Sequence, residues 1–342
     1  MNIKELIKKY DTQNQFDVLQ NTYKQVSYAW ENKIDLSSLK EKQISSIIFC
    51  GLGGSAISGD LLCDYLSGEI KLPFNVVRGY NLPAYANSTA LVIISSYSGN
   101  TEETISCFQQ AITKKCKIVV ITSGGKILEI ASSKKIPIVK LEGGFQPRYA
   151  LGQGFFSLLK LMQEIDYANE DQNVKTINEL WQKRAEEYSR EGNNALRMAG
   201  ELIGFIPVIY SSEYLTSSGY RFKCQLNENS KLQAFYNSIP EMNHNEIIGW
   251  ESLKEKQFFT KVIFLIDKDY NPRNLKRIEI LKEILNEKKV DVLTISSDEE
   301  NKKVRIMDLT LLFDWITFYL SIMRGFDPSE IDFIHRMKQH LS

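Results

Sequence analysis

Short apolar runs alternate along this chain with longer amphipathic or polar stretches, which is the pattern of strands and helices in turn. Strands are expected at 47–50 (Ile47-Ile48-Phe49-Cys50), 74–77, 91–95, 117–122 and 136–140, with helices at 56–66, 102–114 and 126–132. Continuous apolar strands joined by helices of this length predict a parallel sheet covered on both faces. Ahead of them, residues 1 to about 43 are expected to be largely helical, with apolar positions at Leu6, Ile7, Tyr10, Tyr23, Val26 and Trp30.

The alternation pauses at Gly143-Gly144-Phe145-Gln146-Pro147-Arg148, which predicts a loop connecting two domains, 1–150 and 151–342. Helix is expected over about 152–165 and about 174–202, with a break near Gly192. Strands resume at 207–211, 233–238, 262–266 and 290–295. Helices follow at 309–324, rich in aromatics, and at 331–341. The fold class is therefore α/β, two such units in series, without residue-level identity between the halves.

Composition narrows the picture. The 342 residues suffice for two domains, and 43% hydrophobic with 25% charged residues is ordinary for a soluble globular chain. Forty-two basic residues balance 42 acidic ones, so no basic surplus points to nucleic acid. No apolar run is expected to reach the roughly 20 residues of a membrane span. The N-terminus is charged and amphipathic, unlike a secretory signal. Five cysteines without paired spacing suit a reducing cytoplasm. With three histidines and scattered thiols, no metal site is expected.

Candidate chemistry sits in two loops. Gly51-Leu52-Gly53-Gly54-Ser55 follows the first apolar run; Ser95-Ser96-Tyr97-Ser98-Gly99-Asn100-Thr101-Glu102-Glu103-Thr104 follows the third. Each leads into a helix. Small hydroxyls and free N–H groups at helix N-termini favour an anion such as the phosphate of a small metabolite. Glycine at 51, 53 and 54 admits close backbone approach, and Asn100 or Thr101 is placed to cap the next helix. Either loop alone would also serve as a capped turn. Neither is a Walker A, and the glycine spacing at 51–54 is a poor dinucleotide fingerprint.

A second constellation is Gln225-Leu226-Asn227-Glu228-Asn229-Ser230-Lys231, followed by Glu241-Met242-Asn243-His244-Asn245-Glu246. Glu228 and His244 suit general acid–base work, but such a pair is far more often a solvated helix carboxylate and a loop histidine satisfying local hydrogen bonds, and by itself carries no claim. Arg148, behind Pro147, could hold a developing oxyanion or pair with a carboxylate. Lys338 lies in the terminal helix, where a lysine commonly serves the dipole.

Together these segments resemble the sugar isomerase (SIS) superfamily and, more narrowly, the bifunctional phosphoglucose/phosphomannose isomerases. The Ser-Tyr-Ser-Gly-Asn-Thr-Glu-Glu-Thr string, the Gln146-Pro147-Arg148 loop, and the blocks around Glu228 and His244 carry the resemblance from about residue 45 to 342. It implies two SIS domains in tandem, each a parallel sheet sandwiched by helices, and a homodimer with shared active sites. It implies interconversion of aldose and ketose 6-phosphates without metal or nucleotide cofactor. Gly53, Gly54, Ser55, Ser96, Ser98 and Thr101 would hold the sugar phosphate. Glu228 would move the proton between C1 and C2, and Arg148 would stabilise the cis-enediol(ate). His244 would help open the ring, reaching in from the partner subunit, and Lys338 would assist. Ser329 could give the slack at C2 that dual specificity needs. The chain departs from compact members in a long first helical region and polar sequence around 166–172, expected as surface insertions. The competing functions are a glucose-6-phosphate isomerase only, and a non-catalytic sugar-phosphate-binding regulator.

Overall fold

The computed structural model describes residues 2–36, 39, 43–252 and 259–341, the side chains of 252, 335, 338, 339 and 341 excepted. The chain forms two bodies. One is Thr22–Glu179; the other joins Met1–Asn21 to Leu180–Ser342.

The second body claims the start of the chain, α1 (Ile3–Tyr10) and α2 (Gln15–Gln20). Phe16 of α2 stands edge-on to Trp315 at 5.5 Å, an aromatic contact that ties the N-terminus to the far end of the sequence. The first body then runs α3 (Thr22–Glu31), β1 (Ser46–Cys50), α4 (Gly53–Tyr65), β2 (Phe74–Val77), β3 (Ala90–Ser95), α5 (Glu102–Thr113), β4 (Lys117–Thr122), α6 (Gly125–Ser133), β5 (Ile138–Lys140), α7 (Leu151–Glu164) and the start of α8 (Asp171–Tyr188). Its five strands are parallel in the order β2-β1-β3-β4-β5.

Successive strand residues point to opposite faces. Ile48, Cys50, Val92, Ile94 and Val120 pack with Cys107 and Phe108 of α5 and with Ile127 and Ala131 of α6. On the other face Phe49 lies so near Gly59 of α4 that a Cβ there would come within 2.6 Å of the ring. The boundary of this body falls inside α8 rather than at 150/151, because α7 packs on α3 and α4 of the first sheet. The loop through Arg148 thus lies within the first body and does not link two domains. The 166–172 stretch is not wholly surface: Glu170 is buried and accepts from the Tyr65 hydroxyl at 3.0 Å and from Asn173 at 2.7 Å.

The second body continues with α9 (Asn194–Glu201), β6 (Ile206–Ser212), α10 (Thr216–Glu228), β7 (Phe235–Ile239), β8 (Thr260–Leu265), α11 (Pro272–Glu287), β9 (Asp291–Ile295), α12 (Lys302–Met323) and α13 (Asp332–Leu341). Its parallel sheet has the order β7-β6-β8-β9, the first four positions of the first sheet's order repeated. The expected helix break is present between α8 and α9, with Gly192 at φ +70°. Helix α11 has no counterpart in the sequence expectations; Pro272 opens it and the Asn271 side chain caps it. Helix α12 begins seven residues before the expected 309, where Asn301 caps it. It is long and apolar enough by composition to cross a bilayer, contrary to the expectation that no segment would be. However, 94% of its apolar window is buried inside the folded chain. That burial marks it as a core helix.

Candidate active site

Strands β1 and β3 are neighbours, and the helices that follow them, α4 and α5, cover opposite faces of the first sheet. The carboxyl ends of such a strand pair form a topological switch point, where open α/β sheets bind ligands. Both candidate loops lie there.

The close fit explains the glycines. At Gly51 a Cβ would stand 3.0 Å from the Ser95 carbonyl oxygen, and at Gly54 it would stand 3.0 Å from the Pro147 carbonyl oxygen. Gly53 has φ +52° and Gly99 φ +70°, conformations glycine adopts without strain. At Gly99 a Cβ would also fall 1.7 Å from the Gly124 carbonyl oxygen. The loop after β4, Ser123-Gly124-Gly125, therefore interlocks with the serine-rich loop. Sequence reasoning missed this third loop, although its glycine pair directly after an apolar strand run was a usable signal.

Hydrogen bonds hold the hydroxyls in register. Ser55 Oγ accepts from the Tyr97 N–H at 3.1 Å. Ser96 Oγ accepts from the Gly99 N–H at 3.1 Å and pairs with Thr101 Oγ1 at 2.9 Å. Ser98 Oγ accepts from the Asn100 N–H at 3.3 Å. The capping expectation is corrected here. Thr101 is the N-cap of α5, yet its side chain makes no capping bond because the hydroxyl is paired with Ser96. Asn100 Oδ1 accepts instead from the Lys126 N–H in the first turn of α6. Leu52, the N-cap of α4, cannot cap with its side chain. Both helices thus start without a side-chain cap, which leaves N–H groups of their first turns open to another acceptor.

Arg148 is buried in a 3-10 turn, Pro147–Tyr149, its guanidinium 5.6 Å from the Tyr149 ring. The Tyr97 hydroxyl donates to the Glu142 carbonyl at 2.9 Å and accepts from the Phe145 N–H at 2.9 Å. That bond pair, with Gly54 against Pro147, brings the Arg148 turn to both glycine/serine loops.

In the second body, Glu228 is the last residue of α10. It is half-buried and lines a cavity of about 610 Å³ with Asn227, Lys231, Phe326, Ile331 and Phe333. Ser329 lies in the segment that walls this cavity; it is 2% exposed, and its Oγ has no partner among the described residues. The Lys338 side chain lies outside the described residues.

His244 is exposed in a 3-10 turn, Glu241–His244, just beyond β7. Glu246 anchors the following turn, accepting from the Tyr210 hydroxyl at 2.5 Å and from Asn237 at 2.6 Å; its place in the His244 block is structural. Within one chain His244 and Glu228 do not meet. Helix α10 leaves the carboxyl end of β6 and runs about 20 Å, so Glu228 precedes β7 near the amino edge of the sheet. His244 follows β7 at the carboxyl edge. Among the described residues no three His, Cys, Asp or Glu side chains cluster as a metal site would need.

Residues 191–341 match the family model described as the bacterial phospho-glucose isomerase C-terminal SIS domain. The chain is 35% identical to the bifunctional phosphoglucose/phosphomannose isomerase of Caldicellulosiruptor bescii over 96% of this chain and 98% of the relative. It is 33% identical to the protein of the same name from Aquifex aeolicus, over 95% and 98%. A hypothetical protein of Thermus thermophilus, 14% identical, shares the fold with a TM-score of 0.74 over 99% of this chain and 92% of its own. The expected pair of parallel α/β domains is thereby established, the second of them matching a SIS domain, and the protein is an isomerase: with near-full-length identity above 30%, this chain belongs to the bifunctional phosphoglucose/phosphomannose isomerase family.

Proposed function

We propose that the protein interconverts glucose 6-phosphate and mannose 6-phosphate with fructose 6-phosphate through a cis-enediol(ate). The observation that carries this reading is the near-full-length identity to two proteins of that name. A proton α to a carbonyl is weakly acidic, so the reaction needs a positioned base and an electrophilic partner for the enediolate oxygen. Glu228 is the base, removing hydrogen from C2 and returning it at C1. Arg148 holds the oxyanion, and Gly53, Gly54, Ser55, Ser96, Ser98 and Thr101 hold the phosphate. Anchoring the phosphate fixes the register of the reacting carbons.

His244 assists ring opening. Its separation from Glu228 within a chain supports supply from the partner subunit of a homodimer, with Lys338 assisting. Rotation of the enediol about C2–C3 lets either face be reprotonated, and Ser329 supplies the slack for it.

The test is a coupled assay of fructose 6-phosphate formation, run separately on glucose 6-phosphate and mannose 6-phosphate. Turnover of both is expected. Turnover of the glucose compound alone would leave the base chemistry standing and remove the dual specificity; binding without turnover of either would mark a regulator.

The phosphate assignment has its own test. Gly99→Ala places a Cβ on a backbone carbonyl at positive φ, and no rotamer relieves that overlap. KM for glucose 6-phosphate is expected to rise at least about tenfold, roughly 1.4 kcal/mol of lost binding. An unchanged KM would remove this loop from phosphate binding.

A further inference from the structure

Helix α10 carries two rows of side chains at four-residue spacing. Tyr220, Cys224 and Glu228 form one. Arg221, Gln225 and, at the C-cap, Asn229 form the other, a residue later and so about 100° around the helix. The second row is almost fully buried and polar, and every member bonds to α12. Asp314 accepts from Arg221 Nη2 at 2.7 Å and from Gln225 Nε2 at 2.7 Å. Asn229 Nδ2 donates to Thr317 Oγ1 at 3.0 Å.

The residues just beyond Glu228 are fastened too. Ser230 Oγ donates to the Thr317 carbonyl at 2.8 Å, Arg324 Nε donates to the Ser230 carbonyl at 3.1 Å, and Lys231 Nζ donates to the Asp327 carbonyl at 2.5 Å. The Thr317 hydroxyl donates its own proton to the Phe313 carbonyl at 2.9 Å, so toward Asn229 it acts as acceptor with a fixed orientation.

We propose that Thr317, through Asn229, is a positioning residue for the Glu228 carboxylate, and that the polar row sets the rotation of α10. The inference rests on Glu228 being the base. Apolar contacts between the same helices, such as Phe222 stacked on Phe313 at 4.3 Å, are non-directional and tolerate rolling. Hydrogen bonds weaken steeply off-axis and do not. At the outer radius of a helix, about 5–6 Å, a roll of about 10° moves a carboxylate by about 1 Å. A misplacement of that size can cost about a hundredfold in rate.

Thr317→Val keeps the shape and removes the acceptor; Thr317→Ser keeps the acceptor. In the Val variant kcat is expected to fall about tenfold to hundredfold, while KM stays within about twofold and cooperative unfolding is retained. The C2 deuterium isotope effect on kcat should grow, since only proton transfer is slowed. The Ser variant should recover most of the rate. Gln225→Met, one turn earlier in the row, gives an independent variant with the same expected split, should the Val protein fail to fold. Parental kcat in a folded Val or Met variant would overturn the proposal, as would a Ser variant as slow as Val. Glu228→Gln, assayed alongside, separates the two failures: a fully active Gln variant would refute the base assignment, whereas an inactive Gln variant beside a fully active Val variant would refute only the positioning role.

Discussion

Replacing Glu228 by glutamine is expected to lower turnover of both aldose phosphates by about 10²–10⁴-fold, the usual contribution of a positioned general base. The amide matches the carboxylate in shape but cannot accept the proton. The half-buried setting in the lining of the cavity should accommodate it without rearrangement. Sugar-phosphate affinity, measured by calorimetry, should change little, because the phosphate is assigned to other residues. Exchange of the C2 hydrogen with deuterated water, followed by NMR, should vanish together with turnover. Retained exchange would mean that another group performs the proton transfer.

The largest stability effect is expected from Arg305→Met in the second body. Arg305 is fully buried, donating to both Asp267 carboxylate oxygens at 2.6 and 2.9 Å and to the Glu299 and Glu300 carbonyls at 3.0 and 2.6 Å. The Tyr214 hydroxyl completes the cluster on Asp267 at 2.5 Å. Methionine fills the space but leaves a buried carboxylate without its cation, a loss of about 3–5 kcal/mol. For a body of this size that is a fall in Tm of roughly ten degrees.

The pH dependence has a definite sign. Burial alone would raise the Asp267 pKa, but hydrogen bonds from Arg305, Tyr214 and the Asp269 N–H hold it below the usual 3.8. A depressed pKa stabilises the fold at higher pH, and that contribution is lost as pH falls through the folded value. In the variant, burial acts with less opposition and ionisation becomes destabilising. The stability gap between parent and variant should therefore be widest near neutrality and close below about pH 4. A gap independent of pH in urea unfolding would contradict the ion-pair account.

That cluster also shows how the two sheets differ at their carboxyl edges. Asp267 follows β8 and Ser212 ends β6, the pair that corresponds in strand order to β3 and β1 of the first sheet. In the first sheet the same edge carries glycines and hydroxyls over uncapped helix starts. In the second it carries Asp267 and Asp269 tied to Arg305.

Local sequence by itself determined the strands, the two glycine/serine loops and most helices. Apolar runs such as Ile47-Ile48-Phe49-Cys50 have few other places to go, and glycine/serine turns after them are set by near-neighbour sterics. The Glu228 and His244 blocks were legible as motifs, but their placement was not. That Thr101 bonds Ser96 instead of capping α5, that Arg148 lies under Gly54, and that Glu228 and His244 occupy opposite edges of one sheet are tertiary facts. So is the seating of α2 on α12 through Phe16 and Trp315, which no local pattern announces across about 300 residues. The physical reason is range. Strand, turn and cap preferences act over a few residues of chain. Body boundaries, the buried polar row of α10 and the Arg305–Asp267 pair depend on side chains that meet only after the sheets have formed, where burial decides which polar partners must be found.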